Sequence, residues 1–219
     1  PQVRGVLFFP ASAWAHINEH IGHPLSHLTF GLSGPAFPLQ GDLAAADASI
    51  QPGALLLRNL ASLPAAEQTG ITLYGDHTLN VVNTEALRWA AGEGFTSLLP
   101  GLDCRGKRLT EFVAAHPTWL EFPLYMTEPL MNIRHPYITP RSMTLKGGEV
   151  FMKALPHDDG GTGLYAPHPT DMMDSLRSLM ERGVRRFRLG FHREPAREVR
   201  RLLEALLPIV ANHVTADSL

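Results

Sequence analysis

Short apolar runs of strand character alternate with helical stretches through most of this chain, and that alternation admits few folds. The runs are Val3–Phe9, Leu28–Leu32, Ala54–Arg58, Ile71–Tyr74, Phe95–Leu99, Leu120–Tyr125 and Val184–Leu189. Strands separated by helices argue for a parallel sheet with crossover helices. The helical stretches carry their own start and stop signals. Ser12 heads a segment in which Trp14, Ile17 and Ile21 recur at helical spacing. Leu63–Gln68 is short and ends at Gly70. Asn83 is placed to cap Thr84–Ala91, which stops at Gly92 and Gly94, and Lys107–Ala115 follows. Thr170 is the expected cap of Asp171–Arg182, with Gly183 as its stop. The last helix, Glu194–Leu207, has Pro195 in its first turn and Pro208 just past its end. Met143–Leu155 reads as a hairpin turning at Gly147–Gly148.

This pattern predicts an α/β fold, a (β/α) TIM-like barrel that is either complete or open and lacking units, in one domain spanning residues 1–219. A doubly wound open sheet is the alternative. A chain of 219 residues with 44% hydrophobic content can bury one substantial core. A net charge of −2 gives no basic excess for nucleic acid, and no apolar run reaches the roughly 20 residues that cross a bilayer. Cys104 is the single cysteine, so the chain can form no internal disulfide and no cysteine-rich metal site. With no signal-peptide blocks at Pro1–Arg4, a cytoplasmic location is expected.

Polar side chains at strand ends are the candidate site, because a parallel barrel works at the carboxyl ends of its strands. Asp76, Asn80 and Asn83 follow a strand. Either they bind a ligand at the barrel mouth, or Asn83 caps its helix and Asp76 makes a local turn. Glu121 and Tyr125, four apart on a strand, share a face with Pro123. Glu121 can act as an acid or base there and Arg134 can hold an anionic group, unless the two form a structural pair. Arg188 and His192, with Arg186, flank the last strand and are candidate anion ligands, among many exposed helix charges. His16, Glu19 and His20 spell an inverted zinc-protease motif, H-x-x-E-H, which competes with a solvated helix face. His157–Gly161 reads as a polar loop tip rather than a cation loop.

Three segments, Gly75–Asn83 (GDHTLNVVN), Glu121–His135 (EFPLYMTEPLMNIRH) and Gly183–Glu194 (GVRRFRLGFHRE), together resemble peptidase family U-32, the collagenase-like proteases. Gly75–Asn83 is similar to that family's D-x-x-L-N-V-x-N turn. Glu121–His135 is similar to its E-x-x-x-Y-G-R-x-P-L-M-x-x-R-H-C stretch, and Gly183–Glu194 to its closing strand. The resemblance runs from about Ala54 to Leu207 and implies a barrel. It also marks the departures: Met126 replaces a glycine, Pro136 replaces a cysteine, and no cysteine follows Cys104. In cluster-bearing relatives those thiolates hold iron–sulfur, which proline cannot do. The expected function is therefore a ligand- or partner-binding barrel without the cluster or any other cofactor, related to hydroxylation accessory proteins. Its expected partners are a cluster-bearing relative or a second copy, with a small-molecule or peptide ligand. The alternative is a hydrolase of the same family, metal-independent through Glu121 and His135 with Arg134 and the Asp76–Asn83 turn, or zinc-dependent.

Overall fold

The computed structural model describes residues 5–10, 28–33, 53–67, 70–135, 143–144, 151–156, 161–191 and 194–216. The expected helix after Ser12 with His16, Glu19 and His20, the Gly147–Gly148 turn, the 157–160 loop tip, Pro136 and His192 lie outside them.

Five strands form one parallel sheet in chain order: β1 (Gly5–Pro10), β2 (Leu28–Ser33), β3 (Ala54–Leu57), β4 (Thr72–Gly75) and β5 (Phe95–Leu98). Ala54 through Leu57 is buried at every position, as strands covered on both faces are. A second sheet contains β6 (Phe122–Met126), flanked by antiparallel β11 (Thr170–Asp171) and parallel β12 (Phe187–Gly190). Among the described residues the two sheets join at one parallel bridge, Leu98 with Leu120, closed by hydrogen bonds from Leu98 N–H to Trp119 O (2.8 Å) and from Glu121 N–H to Leu98 O (2.9 Å). Seven parallel strands thus follow one another from β1 to β12.

The helices bury one stripe each against this assembly. They are α1 (Leu63–Glu67), α2 (Thr84–Gly92), α3 (Gly106–Ala115), α4 (Leu176–Glu181) and α5 (Ala196–Ala216). Leu87 and Ala90 of α2, Val113 of α3 and Leu176, Leu179 and Met180 of α4 enter one core with Leu55, Leu57, Leu73, Phe95, Leu98, Phe122 and Leu124. This is the α/β class that the alternation predicts.

The strand series is strongly curved. Neighbouring strands lie about 4.8 Å apart, so β1 and β4 would stand about 14 Å apart in a flat sheet, and β1 and β12 about 29 Å. Yet the rings of Phe8 (β1) and Tyr74 (β4) meet at 5.2 Å, and the Arg188 guanidinium (β12) lies 5.4 Å from the centre of the Phe8 ring. One face is therefore concave.

Four elements depart from the sequence expectation. Pro208 lies inside α5, not beyond it. The helix gives up the bond that an N–H at 208 would make and continues, because Leu206 and Ile209 on either side both pack on the core. Thr170 pairs with Met126 as a strand residue instead of capping a helix. The Asp171 carboxylate accepts from Met173 N–H (3.0 Å) and starts a 3₁₀ turn, so α4 begins only at Leu176. Val184 does not open the last strand, because its N–H closes the end of α4 on Leu179 O (3.1 Å) beyond Gly183, where φ is +97°. The expected hairpin is present as β8 (Met143–Thr144) and β9 (Phe151–Pro156), but it belongs to a four-stranded antiparallel sheet in the order β7 (Pro129–Ile133), β10 (Thr162–Tyr165), β9, β8. Its partners β7 and β10 have no apolar run to announce them.

Candidate functional site

Two irregularities decide which side chains reach the concave face. Leu73 pairs with Phe95 and Tyr74 with Ser97, so Thr96 is an extra residue in β5. Leu73 and Phe95 belong to the helix-side core, which turns Tyr74 and Ser97 the other way. Likewise Arg188 pairs with Pro123 and Leu189 with Tyr125, so Leu124 is extra in β6. Phe122 and Phe187 pack on the helix side, and Arg188 with Glu121 faces inward.

The inward side chains form a buried polar centre. Glu121 pairs with Arg188 through Oε2 and Nε at 2.5 Å, and its other oxygen, Oε1, accepts a hydrogen bond from the Ser97 hydroxyl. Ser97 is 1% exposed and Glu121 6%. Arg188 stacks on Phe8, which meets Tyr74 edge-on. Burial alone would lower the Arg188 pKa. The charge and hydrogen bond of Glu121, with Asp76 and Tyr74 further off, outweigh it and keep the guanidinium charged. Burial pushes the Tyr74 hydroxyl pKa up. Arg188 Nη2 is buried and has no hydrogen-bond partner among the described residues. A buried guanidinium N–H without an acceptor costs about 1–3 kcal/mol or more, so it needs an explanation.

A second polar group lies at the carboxyl ends of β3 and β4. Asp76 N–H bonds Leu57 O (2.9 Å), anchoring the turn after β4 to β3. The Asp76 carboxylate accepts from His77 N–H (3.0 Å), lies 3.0 Å from His77 Nδ1 and accepts from Arg58 Nε at 3.2 Å. Thr78 Oγ1 fixes the same corner by donating to Arg58 O at 2.5 Å. Burial would raise the Asp76 pKa and is the largest single influence. The His77 hydrogen bond and the charges of His77, Arg188 and Arg58 overcome it and hold the carboxyl well below the usual range. Asn80 ends the 3₁₀ turn His77–Leu79 in the left-handed region (φ 55°). Its side-chain oxygen lies where a β-carbon at Gly101 would come within 2.6 Å, so any side chain at 101 would displace the Asn80 amide.

The structure distributes the sequence candidates unevenly. Asp76 and Arg188 are close enough to shift each other's titration, and Glu121 joins them through Arg188. Asn83 caps α2 by accepting from Ala86 N–H (2.9 Å). Tyr125 leaves the group: the extra residue at 124 turns it to Phe191 (5.7 Å between rings) and a hydrogen bond with Glu194, so it does not share the face of Glu121. Arg134 and His135 are exposed beyond β7, where His135 O accepts from Thr162 Oγ1 (3.1 Å). Glu121 therefore pairs with Arg188 and not with Arg134. No contact among the described residues joins Glu121 to His135. Three members were not anticipated: Ser97, Arg58 and His77. Two left a trace in the sequence, a hydroxyl inside the FTSLL run and a cation ending ALLLR at a strand's carboxyl end.

Among the described residues, no three His, Cys, Asp or Glu side chains gather as metal ligands, and no helix is long and apolar enough to cross a membrane. A surface depression of about 330 Å³ along α5, between Ala196, Arg197, Arg200, Arg201 and Glu204, contains only exposed side chains. The chemistry is concentrated at Arg188 and Glu121 instead. No family model matches the sequence, and no curated protein or solved structure does either.

Proposed function

We propose that the chain is a small-ligand-binding barrel of the U-32 type, without an iron–sulfur cluster of its own, whose ligand docks on the concave face against Arg188. The single observation that carries the reading is the unpartnered, buried Nη2 of Arg188. Three further features support it. The strand series curves until Arg188 reaches Phe8, as closure into a barrel requires. Asp76, His77 and Arg58 cluster at the carboxyl ends of the strands, where parallel α/β proteins bind ligands. The U-32-like motif at Gly75–Asn83 forms this corner. Hydrolysis through Glu121 has less support, since both carboxylate oxygens are already engaged.

A double substitution separates binding from structure. Removing one partner of a buried ion pair costs about 3–5 kcal/mol, whereas replacing both with apolar residues is often neutral or stabilising. The Arg188→Leu/Glu121→Met protein is expected to keep its melting temperature and lose binding of small amides, carboxylates and inorganic phosphate, followed by ligand-observed NMR at millimolar concentration. If wild type binds none of these, or the double variant binds them equally, the reading fails.

A further inference from the structure

The polar centre holds more cations than its two carboxylates answer. Arg58 is paired with Asp76 at 3.2 Å and Arg188 with Glu121 at 2.5 Å, while His77 shares Asp76 with Arg58. Arg186 is the cation left over. Its backbone carbonyl accepts from Phe122 N–H (2.9 Å), which fixes it beside β6 where β12 begins. Phe187 packs on the helix side, so Arg186 and Arg188, one residue to either side of it, fall on the inner face. The charge of Arg186 accordingly acts on the Tyr74 hydroxyl ahead of those of Glu121 and Arg188. Among the described residues Arg186 forms no ion pair. Glu121 is not free to supply one, because its two oxygens are held by the Ser97 hydroxyl and Arg188 Nε. The same engagement leaves Arg188 Nη2 without an acceptor. The inner face of β12 thus combines an unanswered positive charge with a buried N–H donor two residues on. An oxygen carrying negative charge meets both needs at once, and away from bulk water that attraction is strengthened.

Resting on the ligand-binding reading above, we propose that the ligand carries an anionic oxygen group, a carboxylate or a phosphate, which accepts from the vacant Nη2 of Arg188 and takes Arg186 as its counterion. Arg188 then orients the group and Arg186 sets the charge class of the ligand. Asp76 and Glu121 do not bar an anion, since each is already faced by its own arginine. A neutral amide satisfies Nη2 but leaves the Arg186 charge unanswered, so it is the weaker ligand.

The test uses the intact chain with its arginine side chains labelled by ¹⁵N. Acetate, inorganic phosphate and acetamide, the neutral isostere of acetate, are the probes, and the Arg188 guanidinium resonances are the readout. At least one anion is expected to shift them in a saturable way, at least tenfold more tightly than acetamide. Saturation by acetate alone identifies a carboxylate ligand and by phosphate alone a phosphate, and either supports the proposal. Arg186→Gln leaves both ion pairs in place. It is expected to keep the melting temperature, weaken the anion at least tenfold and leave the acetamide response within threefold. Arg186→Lys, which keeps the charge, is expected to hold the anion within threefold of wild type. Acetamide binding as tightly as the anions overturns the charge class and leaves the binding reading standing, and this comparison needs no variant. An unchanged anion affinity in Arg186→Gln, or an equal loss in Arg186→Lys, overturns the role of the Arg186 charge. Silence of wild-type Arg188 toward all three probes overturns the binding reading itself.

Discussion

Asp76 gains on folding a fixed hydrogen bond from His77 N–H, one from Arg58 Nε and the charge of Arg188, and the two arginines are remote in sequence, so the unfolded chain does not hold them there. Its folded pKa is below its ordinary value of 3.8. A depressed carboxylate contributes stability that is complete above the unfolded pKa and lost as pH falls. Urea titrations are therefore expected to show stability falling below about pH 4. Asp76→Asn should be less stable at pH 7 and show a flatter acid limb, and an unchanged limb would remove Asp76 from the account. At this scale the sequence was legible where a residue acts on its neighbours. Asn83 has the cap and spacing that its helix requires. It was illegible where the partner is remote. Glu121 has Arg134 nearby in sequence, but it is answered by Arg188, 67 positions away, and nothing local in either segment encodes that choice.

Among the elements, α5 carries an internal contradiction, since Pro208 interrupts the hydrogen-bond ladder of a 21-residue helix. Pro208→Ala restores the missing donor, and with apolar neighbours already packed it is expected to raise stability by up to about 3 kcal/mol. Thermal melting of the two proteins decides this, and a drop would mean that the proline is needed for the fit of the helix. The long strands and helices of this chain could be read because their apolar residues are contiguous or periodic. The extra residues Thr96 and Leu124 could not, since a strand with a bulge has the same composition as one without. That blind spot moved Tyr125 into the expected site and left Ser97 out of it. β7 was hidden for another reason: it opens on a proline and exposes Leu130 and Met131, so it lacks the face by which a strand is recognised.

For the whole molecule, the α/β class followed from alternation alone, but the antiparallel sheet did not, because pairing between distant short strands is decided by the finished fold. The Leu98–Leu120 bridge is the narrowest link in the parallel series, and both side chains are fully buried. Leu120→Ala is expected to cost about 2–5 kcal/mol and to make denaturant unfolding less cooperative. A single sharp transition with an unchanged slope would show that the sheets are held together elsewhere. Ser97 belongs to the sheet on one side of this bridge, and Glu121 and Arg188 lie on the other. The Ser97–Glu121 hydrogen bond thus straddles the seam between the two halves, and any strain that opens the seam must break it.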